Sequence, residues 1–168
     1  MISEGCTSKN VCVIGAGPSG LVAARELRKE GHGVVVLEQN HDIGGQWHYH
    51  PNIEDEDPLG KCPILNVHSS IYASLRVISP RETMGFMDFP FRVREGRDNR
   101  RFPGHKEVLM YLRDFCEGFG LKDTIRFSIM VDYLGMLNHE ECNDDGLKWI
   151  VKALRRRRLV MMMMIRRW

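Results

Sequence analysis

One stretch of this sequence specifies a strand–helix–strand unit: residues 10–38 read NVCVIGAGPSGLVAARELRKEGHGVVVLE. The continuously apolar residues after Asn10 are typical of a buried strand over 10–14. Residues 19–30 alternate apolar and charged side chains at helical spacing, and the glycines that follow end this helix. Residues 34–38 predict a second strand. A helix that joins two strands within about 30 residues predicts that the strands are parallel, with a right-handed crossover.

The turn between the first strand and the helix matches the pattern G-x-G-x-x-G. Its members are Gly15, Ala16, Gly17, Pro18, Ser19 and Gly20. Gly15 permits the tight turn, Gly17 lets a pyrophosphate approach the backbone, and Gly20 allows close packing of helix on strand. The helix N-terminus adds free N–H groups and partial positive charge. A glycine turn that binds nothing is the alternative, but the strand and helix around it favour a dinucleotide site.

The residues after the second strand extend this prediction. Glu38 follows Gly20 by 18 positions, where its carboxylate can accept hydrogen bonds from ribose hydroxyls and would repel a 2′-phosphate. This first site is therefore not expected to bind NADP. The run GGQW at 44–47 lets the chain turn back across the adenosine, with Trp47 beside the far end of the cofactor. An ordinary loop with a core tryptophan is the alternative.

Composition excludes several other classes of function. The net charge of +2 includes six arginines within 155–168, so residues 1–154 carry 18 basic against 22 acidic side chains. This mildly acidic body does not favour nucleic-acid binding. No apolar run reaches the length of a membrane span, no secretory signal begins the chain, and the five cysteines form no C-x-x-C pair. A cytoplasmic protein without a metal site is expected.

The remaining elements are predicted from periodicity. Residues 79–86 predict a helical turn, and 105–119 predict an amphipathic helix with one apolar stripe. Residues 124–137 and 147–154 predict strands joined by a polar turn, which suggests a hairpin or meander. Residues 41–65 are expected to be mostly loop.

Eight segments of the sequence, taken in order, resemble one enzyme family. They are GAGPSG at 15–20, LEQ at 37–39, GGQW at 44–47, SIYASLR at 70–76, PRE at 80–82, MGFMDFPF at 84–91, FPGH at 102–105 and EVL at 107–109. Together they resemble the N-terminal part of flavin-containing monooxygenases, closest to the plant subgroup that S-oxygenates glucosinolate-type thioethers. The resemblance extends over about 10–153.

The resemblance implies an α/β fold, a Rossmann-like FAD-binding (βαβ) domain, incomplete, with helical and β-meander insertions. It implies FAD as cofactor, with NADPH and O₂ as co-substrates. In the family, NADPH reduces FAD and oxygen adds to give a flavin C4a-hydroperoxide. One oxygen atom then passes to the sulfur or nitrogen of a small thioether or amine. Because the cofactor supplies the chemistry, no catalytic side chain is expected.

The family motif assigns cofactor contacts by position. Gly15, Ala16, Gly17, Pro18, Ser19 and Gly20 would surround the FAD pyrophosphate, Glu38 and Gln39 the adenosine ribose, and Gly45, Gln46 and Trp47 the approach to the isoalloxazine. One position departs from the family pattern. Ile78 stands where the family commonly places an asparagine near the flavin, and isoleucine cannot donate a hydrogen bond to an oxygen adduct.

Two family features are missing from these residues. The second glycine-rich site, for NADPH, is absent, and so is the F-x-G-x-x-x-H signature, because Val108 stands at the histidine position. We therefore expect a partial FAD-binding domain over 1–154 and a disordered Arg/Met tail over 155–168. This chain alone is expected to be inactive. The alternatives are a non-enzymatic truncated isoform or defective product, and a different FAD or NAD oxidoreductase.

Overall fold

The computed structural model describes residues 8–51, 69–136, 148–155 and 158–166. The helices of these residues are α1 (Pro18–Lys29), α2 (Arg81–Met84) and α3 (His105–Gly118). The strands are β1 (Asn10–Ile14), β2 (Gly33–Leu37), β3 (Ile125–Arg126), β4 (Met130–Met136), β5 (Lys148–Arg155) and β6 (Arg158–Arg166). The chain divides into two compact units, one built from 1–43 and 121–168 and the other from 44–120.

A parallel sheet in the first unit confirms the predicted strand–helix–strand unit. β2 lies between β1 and β3 and runs parallel to both, with Val36 opposite Val13 and Ile125. Helix α1 makes the crossover and begins one residue earlier than predicted, at Pro18. Proline suits this first position because its φ is already helical and the N–H that it lacks would have no partner.

The predicted strand over 124–137 is divided in two. β3 ends at Arg126 and β4 begins at Met130, because Ser128 adopts a left-handed φ of 57° between them. The N–H groups of Ser128 and Ile129 donate to backbone oxygens of 40 and 38, each at 2.9 Å. The chain thereby leaves the parallel sheet at its carboxyl end and enters a second, antiparallel sheet of β4, β5 and β6.

One buried cluster underlies these two sheets. Leu37 from β2 packs with Val151 and Ala153 from β5 and with Ile129, and all four are at most 6% exposed. Burial of such side chains removes apolar surface from water and stabilises the unit. The predicted hairpin is confirmed as the β4–β5 pair, although the polar turn predicted between the two strands lies outside the described residues.

The end of the chain differs from the expectation of a disordered tail. Residues Arg158–Arg166 form β6, which pairs antiparallel with β5 and places Met161 opposite Ala153. β5 would otherwise present a row of unpaired N–H and C=O groups along this edge. The extended apolar run at 159–165 supplies backbone partners for those groups. No periodicity within this run predicts the pairing.

Aromatic packing organises the second unit around α3. The helix begins at the predicted residue, ends at Gly118, and buries most of the predicted apolar stripe, including Phe115 at 0% exposure. The aromatic rings that pack together are Phe86, Phe89, Phe91, Tyr111, Phe115 and Phe119. The Tyr111 hydroxyl accepts from the Phe86 N–H at 2.8 Å and donates to the Phe89 carbonyl at 2.6 Å. The helical turn predicted near Pro80 is confirmed as α2.

A buried cation connects α2 to α3. Arg81 is 4% exposed and lies 3.4 Å from the carboxylate of Glu107, which is 3% exposed. The Arg81 guanidinium also donates to the carbonyls of Arg100 and Asp98 and lies 4.7 Å from the centroid of the Phe91 ring. Because each charge is buried, loss of one partner leaves the other without compensation.

The substitution Arg81→Met is expected to lower the free energy of unfolding by about 3 kcal/mol, since it leaves a buried carboxylate unpaired. Arg101→Met is the matched control, because Arg101 is two-thirds exposed and its pair with Glu82 is exposed as well. The control is expected to change stability little. Urea unfolding followed by circular dichroism measures both, and equal effects would contradict the assigned role of Arg81.

Candidate dinucleotide site

The glycine turn joins the carboxyl end of β1 to the N-terminus of α1, and two of its glycines are required by geometry. Gly15 has a φ of +91°, and its N–H donates to the Leu37 carbonyl at 2.8 Å. A Cβ on Gly20 would lie 1.9 Å from the Gly15 carbonyl oxygen. A side chain at either position would therefore distort the turn.

The first turn of α1 offers positive character without a competing side chain. Gly17 is its N-cap in an extended conformation, Pro18 follows, and no acidic residue lies in this first turn. Backbone N–H groups at a helix start have no partner within the helix. Together with the helix dipole they form a site that favours an anion. Ser19 is exposed beside this end, whereas Ala16 is fully buried.

Glu38 connects β2 to the glycine turn. Its carboxylate is 3% exposed; Oε2 accepts from the Ala16 N–H at 2.7 Å, and Oε1 accepts from the Asn40 N–H at 2.8 Å. Each carboxylate oxygen has a second lone pair, so these bonds leave capacity for hydroxyl donors. Sequence reasoning identified Glu38 as a hydrogen-bond acceptor but missed that it also holds the turn.

Asn40 is a residue of this site that sequence reasoning missed. Its side-chain Nδ2 is buried and has no hydrogen-bond partner in the part of the chain that the structure describes. A buried amide without a partner is costly, so such a group commonly marks a position where a ligand or water binds. Its only sequence signal was its place two residues after Glu38, just beyond the predicted second strand.

The other predicted contacts belong to the second unit. Gly45, Gln46 and Trp47 form a 3₁₀ turn, which the glycines at 44 and 45 enter with positive φ angles. The Ser69 hydroxyl donates to the Gln46 carbonyl at 2.5 Å, and the Trp47 side chain is half-buried. Ile78, where the family pattern has asparagine, is 93% exposed in the same unit.

Two further observations concern metals and membranes. Within 8–51, 69–136 and the two described C-terminal ranges, no three His, Cys, Asp or Glu side chains cluster closely enough to hold a metal ion. Of the helices in those ranges, none combines the length and apolar character that crossing a bilayer requires.

One protein-family model matches most of the chain. Residues 8–153 match the model of the family described as flavin-binding monooxygenase-like. The chain belongs to this family. The resemblance found in the sequence is therefore confirmed, and so is the α/β fold with its parallel sheet.

Two similar curated proteins come from Arabidopsis thaliana. The flavin-containing monooxygenase FMO GS-OX-like 8 is 63% identical over 150 residues, which is 89% of this chain and 32% of that protein. FMO GS-OX-like 9 is 62% identical over 151 residues. The chain thus spans about a third of the length of these relatives.

Solved structures give the same fold for this family member. The S-allyl-L-cysteine S-oxygenase from Allium sativum is 39% identical with a TM-score of 0.79, and the match covers 96% of this chain and 35% of that enzyme. A steroid monooxygenase solved with NADP is 24% identical with a TM-score of 0.61, covering 88% of this chain and 23% of that one. At that identity the second likeness supports the fold alone.

The substitution Gly20→Ala is expected to destabilise the chain by about 1–3 kcal/mol, because the added Cβ collides with a backbone oxygen that must move. Gly118→Ala provides the control within a helix, since its Cβ would make an ordinary contact 3.7 Å from Phe89. The control is expected to lose no stability. Thermal unfolding of both variants measures the difference, and a Gly20→Ala chain as stable as the original would refute the described geometry of the turn.

Proposed function

We propose that this chain is the FAD-binding part of an NADPH-dependent monooxygenase that oxygenates the sulfur, or nitrogen, of a small thioether or amine. The observation that carries the proposal is the buried Glu38 carboxylate at the end of β2, bonded to the glycine turn that precedes α1. In this arrangement, hydrogen-bond acceptors and a helix start that favours an anion lie at the same edge of one parallel sheet, which supports the proposal.

The turn fits the pyrophosphate of FAD. Backbone N–H groups at the start of α1 would donate to the phosphate oxygens, and the partial positive charge there offsets their negative charge. Gly17 lacks a side chain, so the phosphates can approach its backbone. The tight packing at Gly20 keeps α1 against β1 and so fixes the direction of these N–H groups.

The end of β2 fits the adenosine. Glu38 would accept hydrogen bonds from the ribose hydroxyls through its remaining lone pairs, with Gln39 beside it. The buried Nδ2 of Asn40 is a donor in the same three-residue segment, which supports a polar ligand here. The carboxylate disfavours a 2′-phosphate, so FAD is favoured over NADP at this site.

In the second unit, Gly45, Gln46 and Trp47 would border the isoalloxazine. Bound FAD would supply the transfer of electrons from NADPH to oxygen and of an oxygen atom to the substrate. The protein's part is to hold the cofactor and exclude water. A thioether substrate is favoured because the similar enzyme from Allium sativum is an S-oxygenase of S-allyl-L-cysteine.

Flavin retention tests the proposal directly. The purified chain, reconstituted with FAD and desalted, is expected to show flavin absorbance and to release FAD identified by mass. Gly17→Val is expected to retain less than about a tenth as much, because the branched side chain blocks the pyrophosphate. Ala23→Val, at an exposed position of α1, serves as the control and is expected to retain FAD.

Two results would contradict the assignment. If Gly17→Val retained as much FAD as the original chain, with both variants folded by circular dichroism, the pyrophosphate would not bind at the glycine turn. Tight binding of NAD in place of FAD would instead favour a different dinucleotide-dependent oxidoreductase.

Catalysis is tested separately on the same sample. The FAD-loaded 168 residues, given NADPH, oxygen and a methyl thioether, are expected to form no sulfoxide, because these residues contain one glycine-rich dinucleotide motif. Chromatography of the product and NADPH absorbance provide the measurement. Sulfoxide formation dependent on NADPH would show that the 168 residues suffice for turnover.

A further inference from the structure

A cavity of about 550 Å³ lies within the second unit, and none of its lining residues is among those proposed to bind FAD. Its walls come from 73–76, from 96–98 with 100, and from 104–107 with 110, and the last group includes the start of α3. This volume is in the range of sites that bind small organic molecules.

The acidic side chains that line the cavity are already paired. Asp98 accepts from the Arg100 guanidinium at 2.7 and 2.8 Å and from the Gly104 N–H at 2.9 Å. These bonds, that of Arg100 first, hold the pKa of the Asp98 carboxyl well below its usual range, so it stays ionised and its charge offsets that of Arg100. Glu107 is paired with the buried Arg81.

The cationic side chains divide into paired and unpaired. Arg97 donates to both carboxylate oxygens of Asp114, at 2.6 and 2.8 Å, and Arg100 is paired with Asp98. Among the described residues, Arg76 and Lys106 form no ion pair. The Arg76 guanidinium donates one hydrogen bond to the Phe102 carbonyl, which leaves most of its N–H groups available.

These two cations lie at an unfavourable place. Lys106 is in the first turn of α3, and Arg76 is bridged through its backbone to Gly104, the N-cap of that helix. The helix dipole makes this end partially positive. The two acids at this end, Glu107 in the first turn and Asp98 bonded to the Gly104 N–H, are already paired with Arg81 and Arg100, so they do not compensate Arg76 and Lys106. An anion in the cavity would compensate these two charges.

We propose that this cavity binds a small organic anion, whose carboxylate or phosphate group contacts Arg76 and Lys106. Leu75 and Met110 also line the cavity and would contact the apolar part of the ligand. A free inorganic ion would leave most of the 550 Å³ and these apolar side chains without contact. The cavity shares no lining residue with the proposed FAD site, and its proposal does not rest on the proposed function.

The test uses the full chain and aromatic probes that share a ring but differ in charge. Phenyl phosphate and phenylacetate are titrated at low ionic strength, with phenethylamine as the cationic control, and ¹H–¹⁵N spectra follow the amides of Gly96 and Gly104. At least one anion is expected to saturate with shifts at these amides, and phenethylamine is not. The tighter anion identifies the head group, phosphate or carboxylate.

Lys106→Gln is expected to weaken anion binding by about tenfold, the size of one lost charge-assisted hydrogen bond. Lys122→Gln is the matched control, an exposed lysine in the other unit, and is expected to bind like the original chain. Gly17→Val is expected to leave the titration unchanged, which separates this site from the glycine turn.

Three results would overturn the proposal. The first is that neither anion shows saturable binding. The second is that Lys106→Gln binds the anion as tightly as the original chain. The third is that Lys106→Gln and Lys122→Gln weaken anion binding equally. Lys106 is exposed and makes no ion pair within the described residues, so the Lys106→Gln chain is expected to fold like the original. Arg76→Gln is the second variant, with its fold checked by circular dichroism. It is also expected to weaken anion binding.

Discussion

Glu38 carries hydrogen bonds to the glycine turn, to β3 and to the residue that precedes β4. Its side chain accepts from the glycine turn at Ala16, its own N–H donates to the Arg126 carbonyl of β3, and its carbonyl accepts from Ile129 just before β4. The parallel sheet, the turn and the entry to the second sheet therefore meet at one buried residue. A buried carboxylate is tolerated only when such donors surround it, so the fold and the acid depend on each other.

Local chemistry explains which parts of the structure the sequence could predict. Strands β1 and β2, helix α1 and the glycine turn follow from apolar runs, helical periodicity and glycines with special backbone geometry, all within 10–38. Helix α3 likewise has one clear apolar stripe. The same local signals gave the glycine motif and Glu38 of the candidate site, and the match to the monooxygenase family confirms the resemblance that they carry.

Contacts between distant segments explain what the sequence could not predict. The break at Ser128 depends on backbone partners at 38 and 40, and β6 depends on an open edge of β5. Arg81 and Glu107 lie 26 residues apart, so no short pattern shows that they form a buried pair. Asn40 was missed for the same reason, because only tertiary packing buries its amide nitrogen.

The double role of Glu38 limits how the cofactor preference of this fold can be redesigned. Replacing the acid with a small or basic residue is the obvious route to a site that tolerates a 2′-phosphate. Here that exchange would also remove the acceptor for the Ala16 N–H and the Asn40 N–H. In the proposed site, cofactor choice and scaffold integrity would thus meet at one position, and a change of preference would require a second substitution that supplies a new acceptor to the turn.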